Sequence, residues 1–435
     1  MRRRIQVLIV VAVLGLAGLA AAADDAAGSG DELEAAVREV LRAVPLIDGH
    51  NDAPWAIRSR VSNHLADFDF NDTSAIERPM HTDIRRLRAG GVGGQFWSVW
   101  VPVELPGPEA VVTVLEQIDL VHRINDHYPD DFELALTADD VVRIHGQGRI
   151  ASLIGMEGGH SIANSLAVLR QLYAVGARYM TLTHWANTDW VDAATDTPEH
   201  DGLSPFGEVV VKEMNRLGML IDLSHVSAEG MRDVLDVSRA PVIFSHSCVA
   251  ELNPHPRNVP DDVLERIAES GGLVMINFGS YFVDPKITER HAAYKAEQLR
   301  LETLNPGDPQ AVKNGMKNWV AENPLWTVPL GELADHFDHV RRVAGVDHVG
   351  IGSDYDGISA LPKGMEDVSG YPALLGELMR RGWSREDIAK VAGLNILRVM
   401  REAERVAAEL QEIEQPFEVR IDDDGFGAHE EASGN

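Results

Sequence analysis

Eight short, apolar, β-rich runs recur along this chain: PLIDGH, GGQFWSVWV, IASLIGMEG, ARYMTLTH, MLIDLSH, PVIFSH, GLVMINF and HVGIGSD. Between most of them lie amphipathic segments such as FGEVVVKEMNRLG and DDVLERIAESG, each closing on a glycine, a common C-terminal stop for a helix. Strands alternating with helices cannot pair as hairpins, so the sheet must be parallel. An open doubly wound sheet can carry eight strands, but eight near-regular units favour closure into a (β/α)8 TIM barrel, an α/β fold of one domain. The stretch from Tyr281 to about Asn323 is longer than one connection needs and is expected to form a helical insertion after strand 7.

A chain of 435 residues with 45% hydrophobic and 25% charged side chains can bury a large core. Its formal charge of −29 argues against nucleic-acid binding, which needs clustered Lys and Arg against phosphate. The first residues carry three arginines, an apolar run and an Ala-x-Ala ending, the layout of a secretory signal peptide, with cleavage expected after Ala23. The rival is an uncleaved inner-membrane anchor, because the run from Ile5 to Ala23 is nearly long enough to span a bilayer. Either way the mature protein is expected to be exported, periplasmic or secreted. Cys248 is the single cysteine, so no intrachain disulfide can form. The expected division is residues 1–23 as signal segment, 24–410 as the barrel, and 411–435 as an acidic, Gly-containing flexible tail with no sign of a lipid anchor.

In a barrel the chemistry sits at the C-terminal ends of the strands. Here those ends carry His50-Asn51-Asp52, Glu157, His184, His225, His246 and Asp354. Histidine and carboxylate are the groups Zn2+ takes at a catalytic site. His50 and Asp52 are spaced i, i+2, which on a strand places both on one face as a chelating pair; the alternative is a turn in which Asn51 and Asp52 merely cap backbone groups. His225 and His246 end consecutive strands and can share an ion, while Glu157 has two oxygens with which to bridge that ion to the His50/Asp52 metal. Two metals about 3.5 Å apart can hold one hydroxide and polarise a carbonyl together, so the pattern predicts a binuclear hydrolytic centre.

Other suggestive residues are set aside. In His81-Thr82-Asp83 the Thr or Asp reads better as the N-cap of the helix IRRLRAGG. GGVGGQ lacks the Lys-Ser/Thr ending of a phosphate loop. Cys248 reads as a small buried residue, and His64, His122, His127, His145, His160, His200 and His255 are scattered through loops and helical stretches.

From about Val44 to Met400, the motifs IDGHNDAPW, HTDIRRLRAGGVGGQFWSVW, GMEGGHSI, LTHWANTDW, GLSPFGEVVVKEMNRLGMLIDLSHVS, APVIFSHS, RNVPDDVL and GSDYDG together resemble those of the membrane (renal-type) dipeptidases, peptidase family M19. The resemblance implies a two-zinc barrel that hydrolyses dipeptides, with tolerance of D-residues and, in some members, of β-lactam rings. It implies that His50 and Asp52 hold one zinc, His225 and His246 the other, and Glu157 bridges them as part of the catalytic centre. His184 would contact the substrate carbonyl and tetrahedral intermediate, Arg257 in RNVPDD the substrate's terminal carboxylate, and Asp354 in GSDYDG would act as general acid/base. Trp55 is either a lining of the side-chain pocket or a core aromatic. A homodimer is a family expectation. The paired cysteines of animal members are missing, and INFGSYF with its following insertion departs from the expected pattern beside the substrate mouth.

Two other classes compete. Another barrel amidohydrolase or a lactonase is disfavoured because such enzymes commonly bridge their metals with a modified lysine after strand 4, where this chain has Thr183-His184. A non-catalytic binder on the same barrel is disfavoured because no ligand is missing. A peptide-tailoring enzyme of the same chemistry stays open.

Overall fold

A computed structural model describes residues 30–74, 76–323 and 326–423, and each of the eight apolar runs contains a strand. In chain order the strands are β1 (Leu46–Asn51), β2 (Val92–Trp100), β3 (Phe132–Leu134), β4 (Ile150–Glu157), β5 (Ala177–Thr181), β6 (Leu220–Asp222), β7 (Ile243–Phe244), β8 (Leu273–Ile276) and β9 (Val349–Ile351). All pairings between them are parallel, in the order β2-β1-β9-β8-β7-β6-β5-β4, and β2 pairs with β4 to close the barrel. Helices cover the outside, so the strands are buried on both faces and read as near-continuous apolar runs, not as alternating ones. The unforeseen β3 is three residues long and pairs with the first residues of β4, Ile150 to Ser152; β5 takes over that edge from Ile154 onward.

The helix signals act as the sequence indicates. FGEVVVKEMNRLG lies in the helix Pro205–Leu217, capped by the Ser204 hydroxyl accepting from Gly207 N and ended by Gly218 at φ 81°. DDVLERIAES is the helix Asp261–Ser270, ended by Gly271 at φ 76°. Asp83 caps the helix Ile84–Gly90 by accepting from Arg86 N, which accounts for the second His-x-Asp. After β8 come the short helix Ser280–Val283 and a pair, Pro285–Leu304 and Pro309–Glu322, in which only Ile287 and Met316 are buried. This is the helical insertion, and it lies on the surface.

The end of the chain differs from expectation. Residues 411–413 are the last turn of the helix Asn395–Ile413, and the segment after it runs along the barrel with Phe417, Val419 and Ile421 against the core. Arg170 Nη1 ties it down, donating to Phe417 O and to Glu213 Oε1, both at 3.0 Å. The packed chain therefore extends to Ile421, because apolar residues alternate within the acidic stretch. The expected signal segment and the rest of the tail fall outside the described residues. Among the described residues no helix is long and apolar enough to cross a membrane.

Inside the barrel, Gly155 of β4 stands in register with Tyr179 of β5, and the space a Cβ would take is filled by the Tyr179 ring. That gap lets the phenol reach across to β1, where it meets Gly49 O at 3.1 Å and His50 Nδ1 at 2.8 Å. Gly155→Ala should therefore cost about 1–3 kcal/mol by overpacking, read as a lowered Tm in thermal denaturation; an unchanged Tm would mean that the ring can move aside freely.

Candidate active site

Seven of the nine selected residues stand at or just past the C-terminal end of a strand; Arg257 lies in the loop before the helix Asp261–Ser270 and Trp55 in the helix Ala53–Val61. Glu157 is the last residue of β4, and His184, His225, His246 and Asp354 follow β5, β6, β7 and β9 within three residues. His50 lies in β1, but Asp52 does not. It occupies the N-cap of the helix Ala53–Val61 without a side-chain capping bond, and Asn51 Oδ1 instead accepts from Ala53 N at 2.9 Å. Capping thus falls to Asn51 and leaves Asp52 free, so the pair converges through the turn and not through strand periodicity. Asp52 Oδ2 lies 3.4 Å from His50 Nε2.

Glu157 is the hub. Its Oε2 is 3.4 Å from His50 Nε2; its Oε1 is 3.1 Å from His225 Nε2, 3.4 Å from His246 Nε2 and 3.8 Å from His184 Nε2. Burial alone would raise its pKa, but the imidazoles around it, His50 and His184 first, hold it well below the usual value. Burial likewise disfavours the imidazolium of His50, yet Tyr179, Glu157 and Asp52 outweigh it and raise that pKa well above the ordinary one. The pocket draws in positive charge.

The hydrogen bonds behind the rings fix which nitrogen is bare. Tyr179 donates its one hydroxyl proton to Gly49 O, so it accepts from His50 Nδ1–H. Ser245 Oγ donates to Asp222 Oδ2 at 2.6 Å, so it accepts from His246 Nδ1–H at 2.8 Å. In the neutral rings both Nε2 atoms therefore present lone pairs toward the carboxylate oxygens; among the described residues His50 Nε2 has no hydrogen-bond partner, and His225 and His246 approach within 3.1 Å through Nε2. Lone pairs so arranged repel unless cations lie among them, which is the donor set of a metal centre. Among the described residues three triads here have ligand atoms mutually within 4.8 Å: His50/Glu157/His246, Glu157/His184/His225 and His50/Asp52/Asp354.

His184 differs in kind. Indole N–H groups only donate, and Trp100 Nε1 lies 3.2 Å from His184 Nδ1, so that nitrogen is an acceptor and the proton of the neutral ring is on Nε2. Burial pushes its pKa down to about 4, so the ring is neutral near pH 7. It offers the site an N–H, not a lone pair. Trp55 sits one ring behind, edge-on to Trp100 at 4.6 Å between centroids.

Asp354 is held by Asn277 Nδ2 on Oδ2 at 2.8 Å, and the amide's own oxygen is occupied by Gly279 N at 2.5 Å. Burial, reinforced by Asp52 and Glu157, raises its pKa well above the carboxylate range against the opposing pull of His50. Arg257 is fully buried, and among the described residues its guanidinium donates to Ser247 Oγ at 3.4 Å and His246 O at 3.3 Å, with Nε unpartnered. Burial lowers its pKa to about 10, which leaves it charged at neutral pH. Among the described residues no carboxylate pairs with it directly. The structure thus gathers eight of the nine sequence-selected residues at the C-terminal end of the barrel and sets Trp55 behind them.

Sequence reasoning missed Asp48, Asp222, Tyr179, Trp100 and Asn277. A signal existed for two of them: LIDGH and LIDLSH each place an aspartate inside an apolar run, where an acid must have buried partners.

The membrane dipeptidase family, peptidase family M19, has a sequence profile that matches residues 34–414. The chain is 41% identical over 393 residues to the dipeptidase verJ of Clonostachys rogersoniana, covering 88% of this chain and 90% of that protein. In fold it is similar to the probable dipeptidase PvdM of Pseudomonas aeruginosa, with TM-score 0.71 at 24% identity over 87% of this chain and 100% of that one. It is similar also to a metallo peptidase of Rhodobacter sphaeroides liganded with a phosphinate mimic of the dipeptide L-Ala-D-Ala, with TM-score 0.68 at 23% identity over 83% and 99% of the two chains. The chain belongs to the membrane dipeptidase family, peptidase family M19, and is a metallo-dipeptidase on a (β/α)8 barrel.

Proposed function

We propose that this protein hydrolyses dipeptides with two zinc ions per chain, His50 and Asp52 holding one, His225 and His246 the other, and Glu157 bridging them. The observation that carries the reading is the two-sided Glu157: one oxygen faces His50 and the other faces His225 and His246. Bound zinc supplies positive charge that polarises the scissile carbonyl and acidifies water.

The rest falls to side chains. Arg257, charged and without an anionic partner, takes the free carboxylate of the dipeptide. His184 directs its Nε2–H at the carbonyl oxygen as negative charge develops there. Asp354, with Oδ2 engaged by Asn277, would be returned to the carboxylate form by the positive charge of the bound zinc, and then takes a proton from the attacking water at Oδ1 and passes it to the leaving amine. Dipeptides with a D-residue at the C-terminal side, and β-lactams, which present a strained amide beside a carboxylate, fall within the same reading.

About two zinc per chain with chelator-sensitive cleavage of L,L- and L,D-dipeptides is the expected result, and His225→Ala should lower the zinc content and abolish turnover with an unchanged circular dichroism spectrum. Full activity with undiminished zinc in that variant would sink the ligand assignment. Arg257→Ala should raise KM for dipeptides with a free C-terminus and matter little for amidated ones; an equal loss on both would refute its carboxylate role. Trp100→Phe, which frees the His184 tautomer, should lower kcat at least about tenfold with zinc content retained, and a kcat equal to that of the unmodified enzyme would show that the indole does not set the proton on Nε2.

A further inference from the structure

We infer that Trp185 is a specificity-determining residue, a fixed aromatic wall that binds a large apolar side chain of the substrate. The inference rests on the dipeptidase reading of the site. Trp185 follows His184 directly, and its indole lies edge-on to the rings of His184 and His225, with centroids 5.3 and 5.1 Å away. Yet it is 46% exposed, in contrast to its two neighbours at 7% and 3%. A large aromatic that contacts two reaction-centre imidazoles on one side and water on the other is not filling the core. It stands beside the reaction centre with a face open to a substrate side chain.

The loop holds it still. Thr195 Oγ1 donates to Trp185 O at 2.9 Å, and Asn187 fastens the return of the loop through Asp196 Oδ2 at 3.0 Å, Thr197 O at 2.7 Å and Ala193 N at 2.8 Å. Asp192, buried, accepts from the backbone N–H groups of Glu199, His200 and Gly202 and so closes the far end. An indole displayed on so braced a loop loses little conformational freedom when a ligand covers it, which is the condition for a rigid aromatic anchor. Carboxylates and Arg257 can fix the polar ends of any dipeptide equally. Trp185 supplies the discrimination those groups lack, because its exposed face gains contact only with a side chain long enough to reach it.

The test is kcat/KM for Ala-Ala, Leu-Ala, Phe-Ala, Ala-Leu and Ala-Phe with the zinc-loaded full chain and its Trp185→Ala and Trp185→Phe variants. For the unmodified enzyme, the dipeptides bearing Leu or Phe at one of the two positions should be preferred over Ala-Ala. Trp185→Ala should lower that preference about tenfold, and Trp185→Phe should keep most of it. A preference ratio that does not change in Trp185→Ala, whether or not all rates fall together, overturns the role of the indole. Failure of the unmodified, zinc-loaded chain to cleave any of the five overturns the dipeptidase reading itself, so the two failures are distinguishable.

Discussion

The barrel mouth depends on one buried carboxylate. Glu157 is 4% exposed and lies among four imidazoles and near two further carboxylates, so it cannot be solvated by water in the ordinary way. An unpaired buried charge costs several kcal/mol, roughly the net stability of a small domain. The carboxylate is tolerable because β1, β6 and β7 deliver imidazoles that can share a cation with it and β5 delivers an N–H donor beside it. The closed sheet, the short strands β6, β7 and β9, and the placing of histidines just past their ends all serve that charge balance.

Charge balance alone would not separate a metal ligand from a hydrogen-bond donor, since His50, His184, His225 and His246 are chemically identical. The rear hydrogen bonds separate them. Tyr179 and Ser245 accept protons from Nδ1 and bare the Nε2 lone pairs of His50 and His246, whereas Trp100 donates to Nδ1 of His184 and leaves its Nε2 protonated. The proximity of His184 to Glu157 and His225 therefore does not make it a ligand in its neutral form. It makes a donor aimed at the same small volume, where a developing oxyanion needs one.

The eight strands of the closed barrel, the helix stops, the insertion and seven of the eight residues at the mouth were legible in the sequence, because apolar runs ending in polar residues report local geometry; Arg257, in a loop, came from the family resemblance alone. What was not legible depends on closure. Asp48 receives the backbone N–H and hydroxyl of Ser353, 305 residues away, at 2.7 and 2.6 Å, and no local pattern announces that pairing. The same holds for Tyr179 with His50 and for Trp100 with His184, which meet across different strands. The three residues of β3 are too few to show periodicity, and the packing of Phe417, Val419 and Ile421 was masked by the acidic residues among them. Asp52 was placed at the site for a reason that did not hold: the turn, not the strand pleat, brings it there.

The missed aspartates also explain how the backbone can turn sharply at the site. His225 and Asp354 sit in the left-handed region at φ 71° and 65°, a conformation that costs a non-glycine residue about 1–3 kcal/mol. Just before each lies a residue whose N–H is held by a buried aspartate: Ser224 by Asp222 at 3.0 Å, and Ser353 by Asp48 at 2.7 Å. Each aspartate also fastens the serine hydroxyl on the neighbouring strand, Asp222 through Ser245 and Asp48 through Ser353. Hydrogen bonds to a charged acceptor contribute about 1.5–3 kcal/mol apiece, enough to offset the turn. A glycine would relieve the strain but could carry neither an imidazole nor a carboxylate. The two clamps, at β1/β9 and β6/β7, are thus the means by which a regular barrel presents reactive side chains from turns it would otherwise disfavour.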